Sequence, residues 1–84
     1  MPDSNIMFYG VNWCWDCRRA RRYLNKHNID YVWVNIDKDK RGEAYVLEVN
    51  KGMRSVPTIL FQDGSILVEP SNSELGQKLC ITEA

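Results

Sequence analysis

Two cysteines separated by two residues, in Trp13-Cys14-Trp15-Asp16-Cys17, are the residues of this chain best suited to chemistry. At that spacing, and at the start of a helix, the pair closes into a disulfide with little rearrangement. The open N–H groups and positive partial charge of a helix N-terminus favour the thiolate form of the first sulfur. A free cysteine titrates at about 8.5, and in Cys-X-X-Cys settings the value falls to roughly 3.5–7.5, which separates an idle thiol from a nucleophile at neutral pH.

The same pair could be structural or half of a zinc site. Zinc usually takes four nitrogen or sulfur ligands in one region, and only His27 and Cys80 remain, both on segments expected to face a core. Redox chemistry is therefore the stronger reading; a cluster bridged between two protomers through Cys14 is a minor one. Asp16 in the first helical turn is explained by the helix dipole alone. Beside two sulfurs it also disfavours a thiolate and could relay a proton. Arg18, Arg19, Arg21, Arg22 and Lys26 follow. A solvated helix face is their plainer explanation, and a basic surface that steadies a thiolate and draws anionic thiols is compatible with it. Arg18 and Arg19 would offset part of the Asp16 field. Trp15 is expected to be exposed as a docking surface, Trp13 is divided between docking and core, and Trp33 is assigned to packing. His27 is explained by its place at a helix end, and Cys80 reads as a small buried hydrophobe.

Cysteines placed in this way need a strand before them and a helix behind them, and both are legible. Ile6-Met7-Phe8-Tyr9-Gly10 is apolar throughout, as expected of a strand buried on both faces. Val11-Asn12-Trp13 links it to the cysteines, and Met1–Asn5 is a polar lead-in. From Trp15 to His27 the positions Cys17, Ala20, Tyr23, Leu24 and His27 recur at helical spacing, and Asn28 ends the run. Tyr31–Ile36 is β-branched and aromatic and reads as a second strand. Asp37 is expected to cap a helix that carries Ala44, Val46, Leu47 and Val49 and stops near Asn50-Lys51-Gly52. Thr58–Phe61 and Ile66–Val68 flank Gln62-Asp63-Gly64-Ser65, a strong hairpin signal. Ser71 and Glu74 fit a capping box that opens a last helix with Leu75, Leu79 and Cys80. The predicted order is β-α-β-α-β-β-α. The first strand, crossover and second strand form a right-handed parallel unit that the hairpin extends antiparallel. The cysteines then lie at the C-terminal edge of the first strand, where ligands favour an open α/β sheet.

Length and composition set bounds. The 84 residues suit one domain spanning 1–84 with one modest core. Eleven basic residues balance eleven acidic ones, so bulk charge gives no case for nucleic acid or a membrane surface. Three cysteines are an odd number for a secreted disulfide scaffold, and neither a signal-peptide pattern nor a run of membrane-spanning length is present. A cytoplasmic protein is expected, in which Cys-X-X-Cys is more often redox-active or metal-binding than structural.

Taken together, Tyr9-Gly10, Cys14-Trp15-Asp16-Cys17, Ser55-Val56-Pro57-Thr58, Asp63-Gly64 and the capped helix at Ser71–Leu75 resemble the glutaredoxin family of the thioredoxin fold. Val56-Pro57-Thr58-Ile59, Asp63-Gly64-Ser65 and Glu69-Pro70-Ser71 resemble its mycoredoxin-type branch, over a match from about Ile6 to Leu79. The resemblance implies a four-stranded mixed sheet flanked by three helices. It implies Cys14 as exposed nucleophile, Cys17 as resolving thiol, and Pro57 as a cis-proline facing them. Val56 would offer its backbone to an extended substrate, and Asn72 and Ser73 would receive a carboxylate of the thiol substrate, with Arg54 as a second anion contact. It implies thiol–disulfide exchange with no bound cofactor. The reductant would be external: glutathione, mycothiol or a thioredoxin reductase with NADPH. The partners would be a low-molecular-weight thiol and disulfide-containing proteins, and the protein a monomer. The chain departs from common glutaredoxins in having Trp-Asp for Pro-Tyr, Val11 for a lysine, and Pro70-Ser71-Asn72-Ser73 for a Gly-Gly-Asp turn. Each change touches a contact used for glutathione. A thioredoxin-like electron donor, for example to ribonucleotide reductase, is the alternative, although its Trp-Ser-Gly-Phe-like segment is not found near residues 66–72.

Overall fold

The apolar run that begins at Ile6 forms the inner strand on which the rest of the chain is assembled. In a computed structural model that describes residues 6–81, the elements are β1 (Met7–Gly10), α1 (Trp15–Lys26), β2 (Val32–Asn35), α2 (Lys40–Val49), β3 (Thr58–Leu60), β4 (Ile66–Val68) and α3 (Asn72–Leu79). The sheet order is β2-β1-β3-β4. β1 runs parallel to β2, with Met7 opposite Val32, and antiparallel to β3, with Met7 opposite Leu60. β3 and β4 form the antiparallel hairpin, turned at Gly64 with φ of 87°. The result is the expected mixed sheet with three helices.

Alternation along β1 builds two cores. Ile6 and Phe8 face Cys17, Ala20, Tyr23 and Leu24 of α1 and Leu75 of α3, together with Ile59 and Phe61. Tyr9 points the other way, with Val11, Ile36 and Val46 of α2. The strand is therefore buried on both sides, which is why its sequence shows no polar alternation. Among the described residues no helix is long and apolar enough to cross a membrane.

Helix termini follow local hydrogen-bond chemistry. Ser71 and Glu74 form the reciprocal capping box expected of them: Glu74 N–H donates to Ser71 Oγ at 3.1 Å, and Ser71 N–H donates to Glu74 Oε1 at 2.8 Å. Asn28 ends the first helical run with a left-handed φ of 58°, and Ile29 N–H closes back to Leu24 O at 2.9 Å.

Two expectations are corrected. The cap of α2 is Asp39, not Asp37, and its carboxylate accepts from Gly42 N–H at 2.9 Å. Asn35 causes the shift. Its side chain accepts from Asp37 N–H, and its carbonyl accepts from the N–H groups of Lys38 and Asp39, so a turn occupies residues 36–38 before the helix can start. Cys80 is exposed instead of buried. It is the left-handed C-cap of α3, with φ of 57°, and Ile81 N–H donates to Gly76 O at 2.9 Å. Ile81 packs against the core in its place, as the residue after a left-handed cap commonly does.

Candidate active site

Cys14 sits at the junction of the β1–α1 link and α1, as the N-cap of the helix, with φ of −87° and ψ of 123°. Most N-caps use an oxygen; here the sulfur accepts the N–H of Cys17 at 3.3 Å. The carbonyl of Cys14 accepts the N–H of Arg18 at 3.1 Å, the first turn of α1. Cys14 is half-buried, whereas Cys17 is fully buried among Phe8, Ala20 and Leu24. Burial is the main cause that pushes the Cys17 thiol up to about 12, and its side-chain hydrogen bond to Cys14 acts in the same direction; a backbone hydrogen bond with Val11 opposes them. Gly10 makes the room for this sulfur. A Cβ there would lie 2.7 Å from Cys17 Sγ and 3.1 Å from the Trp33 ring.

The Val56–Pro57 peptide is cis, as the resemblance implied. Cys14 and Val56 both pack against both core clusters, so the loop before β3 and the start of α1 meet at the seam between them. Pro57 is fully buried, and its carbonyl accepts from Glu69 N–H at 2.8 Å. Thr58, polar yet fully buried, donates its hydroxyl to Ser55 O at 2.8 Å and accepts from Asn50 Nδ2 at 3.1 Å. Asn50 thus braces the loop from the end of α2. In sequence it reads only as a helix stop; the polar threonine within a strand that is otherwise apolar was the signal for such a partner. Among the described residues no backbone hydrogen bond engages the N–H or C=O of Val56.

Trp13 and Trp15 flank Cys14 with exposures of 70% and 67%, so Trp13 resolves as a surface residue and not a core one. Trp33 is half-buried against Phe8, with the Arg21 guanidinium 3.9 Å from its ring centroid. Asp16 lies 3.6 Å from Arg19, an ion pair that offsets its charge as expected of Arg19. Arg18 has an exposed side chain and joins the site through its backbone.

Arg19 does more than the sequence indicated. Its terminal nitrogens donate to Asn72 Oδ1 at 2.8 Å and to Pro70 O at 2.9 Å, and so tie the second turn of α1 to the start of α3. Asn72 and Ser73 are thereby brought beside the cysteine helix, with the Glu74 carboxylate already in the capping box. Arg54, expected as a second anion contact, pairs with Asp37 at 2.6 Å and with Glu43 at 2.7 Å. Among the described residues no group of three or more His, Cys, Asp or Glu side chains could hold a metal ion.

A half-exposed sulfur at a helix start, a buried partner thiol in the same turn, and a cis-proline loop form an arrangement suited to thiol–disulfide exchange. The glutaredoxin family profile matches residues 6–66, covering both cysteines and Pro57. The chain belongs to the glutaredoxin family. A Mycobacterium tuberculosis protein that carries the glutaredoxin name is 38% identical over 79 residues, 94% of each chain. Mycoredoxin 1 of Corynebacterium glutamicum is 32% identical over 76 residues, 90% of this chain and 94% of its own. Among solved structures, a point mutant of the thioredoxin-like protein BC3987 superposes with a TM-score of 0.81 at 25% identity, over 92% of this chain and 96% of that one. A glutaredoxin from Archaeoglobus fulgidus shares the fold, with a TM-score of 0.73 at 21% identity, over 90% of this chain and 86% of that one. This glutaredoxin-family chain is a thiol–disulfide oxidoreductase of glutaredoxin/mycoredoxin type.

Proposed function

We propose that Cys14 is the nucleophile and Cys17 the resolving thiol of a dithiol glutaredoxin that reduces protein disulfides and mixed disulfides with a low-molecular-weight thiol. The observation that carries this reading is the Cys14 sulfur at the N-cap of α1, accepting an N–H from the first turn. The Cys14 thiolate attacks one sulfur of the substrate disulfide. A new S–S bond forms, the old one breaks, and the other sulfur leaves as thiolate. Two routes then regenerate the enzyme. A small thiolate attacks the adduct and restores Cys14, or Cys17 attacks Cys14 and leaves an internal disulfide, which two electrons from an external reductant reopen. The second route requires Cys17 to give up a proton that burial favours keeping in the reduced protein.

The proposed reductant is a small thiol, glutathione or mycothiol, with no bound cofactor. Arg54 is already paired with two carboxylates, and Arg19 is engaged with Asp16, Asn72 and Pro70. Glutathione, which carries two carboxylates, finds these cations occupied, which leaves the start of α3 at Asn72 and Ser73 as the proposed carboxylate contact. The backbone of Val56, unengaged by backbone hydrogen bonds among the described residues, is available to a peptide substrate in extended form. The site residues of this reading are Cys14, Cys17, Trp13, Trp15, Val56, Pro57, Asn72 and Ser73, in a cytoplasmic monomer made of one domain. The exposed Trp13 and Trp15 favour a second reading, a thioredoxin-like electron donor to a protein partner, reduced by a thioredoxin reductase with NADPH.

The test is to oxidise the protein and follow tryptophan fluorescence as each reductant is added. Rapid reduction by mycothiol or glutathione, and slow reduction by NADPH with thioredoxin reductase, is the expected result; the reverse selects the electron-donor reading. Cys14→Ser is expected to abolish exchange, and Cys17→Ser to trap an adduct with thiolated protein while retaining turnover supported by small thiol. Exchange that survives in Cys14→Ser would remove Cys14 as the nucleophile.

A further inference from the structure

Four charged or aromatic side chains from four segments form one chain of contacts beside the cysteine helix. The indole N–H of Trp13, in the β1–α1 link, donates to Asp37 Oδ2 at 2.8 Å. The other oxygen of Asp37, in the turn after β2, accepts from Arg54 at 2.6 Å. Arg54, in the loop before β3, donates its Nε to Glu43 Oε2 of α2 at 2.7 Å. The cluster holds one guanidinium against two carboxylates, so a negatively charged ligand gains nothing there. The guanidinium fork, spread across two acceptors, instead fixes the carboxylate to which the indole is bound.

We propose that Arg54 and Asp37 are positioning residues that hold Trp13 as a fixed wall next to Cys14, and that this wall sets how tightly the non-sulfur part of the substrate is held. The inference rests on the reading above that Cys14 is the attacking sulfur. An indole that is 70% exposed has little packing to fix its two side-chain torsions. A ring that is already ordered spares the substrate the entropy of ordering it, and it presents a rigid aromatic face at once. Met53, 64% exposed and next in sequence to Arg54, adds apolar surface on the same loop. Among the described residues no hydrogen bond joins the network to either sulfur, so it acts on substrate binding and leaves the exchange step alone.

The experiment compares the parent protein with Arg54→Met, Asp37→Ala and Trp13→Phe. Single-turnover reactions use the reduced protein in excess over a short peptide whose cysteine bears a mixed disulfide with 2-mercaptoethanol. Half-saturation is expected to rise roughly 3- to 10-fold in Arg54→Met and Asp37→Ala, with the limiting rate changed less than about 2-fold. The Trp13 indole should lose rigidity in both variants, read by its 15N–1H heteronuclear NOE. In a Trp13→Phe background, Arg54→Met should add less than about 2-fold, because the acceptor no longer has an indole to hold. Arg54→Lys keeps the charge without the fork and should fall between the parent and Arg54→Met; it also serves if Arg54→Met does not fold.

An Arg54→Met effect of the same size with and without the indole would overturn the proposal. So would an indole that stays rigid in Arg54→Met. A loss seen only when the probe carries glutathione in place of 2-mercaptoethanol would make Arg54 a direct anion contact and overturn it as well. If the parent failed to exchange with any probe, the Cys14 reading would be at fault, and the indole measurement would still decide whether the network holds the ring.

Discussion

The two cysteines, three residues apart, have been given opposite environments by their positions in one turn. Cys14 faces the open end of the helix and receives a backbone N–H; Cys17 faces Phe8, Ala20 and Leu24, behind the backbone of Gly10. The raised Cys17 value links folding to pH. Its thiol stays protonated in the folded state up to about 12, whereas in the unfolded chain it ionises from about 9. The folded state therefore binds more protons between those limits, and the stabilisation present below pH 9 is lost as pH rises toward 12. Urea midpoints of the reduced protein are expected to fall above pH 9, and Cys17→Ala should flatten that fall. An equal slope in the variant would assign the alkaline loss to other groups. At the other end of the scale, Asp37 is held below the ordinary carboxylate range, first by its hydrogen bond from Arg54 and then by that from Trp13, so its contacts outlast those of an ordinary carboxylate as pH falls.

Elements were legible where a side-chain pattern alone determines them, and less so where backbone hydrogen bonds compete. The Ser71–Glu74 box, read from two residues three apart, is present with both of its bonds. Ser71→Ala removes the acceptor for the Glu74 N–H and should cost about 1 kcal/mol, measured by urea denaturation; Ser71→Asp should recover most of it. A loss of a few tenths or less would mean that packing at Leu75 already holds the start of α3. Asp37 failed as a cap for a local reason: the Asn35 side chain and carbonyl captured the following N–H groups before the helix could begin. Cys80 failed because helical spacing places it on the core face, and spacing says nothing of a left-handed residue that turns the chain and brings Ile81 in instead. At the site, the cysteines and Pro57 carry a local signature and were legible as candidates. Arg19, Asn50, Asp37 and Glu43 were given other roles or none, because each acts through a partner 8 to 53 residues away that no short pattern joins to it.

The whole molecule depends on few large side chains. Phe8 is fully buried in the strand shared by both cores and packs against the rings of Tyr31 and Trp33 at centroid distances of 5.5 Å. Phe8→Ala should cost about 3–5 kcal/mol, a large part of the roughly 5–15 kcal/mol that holds a domain of this size together. Thermal unfolding followed by near-ultraviolet circular dichroism would measure it, and a cost under about 1 kcal/mol would mean that α1 and α3 close the gap on their own.

The register that places Met7 opposite Leu60 carries a consequence for synthesis. Cys14 and Cys17 precede residues 55–57 by some forty positions, and Val56, which packs on the same core clusters as Cys14, docks only when β3 closes a long loop onto β1. During translation the dithiol is therefore made well before the Val56–Pro57 loop that packs on the same clusters. Until β3 emerges, Cys14 and Cys17 lack that loop, and any selectivity it confers is acquired last.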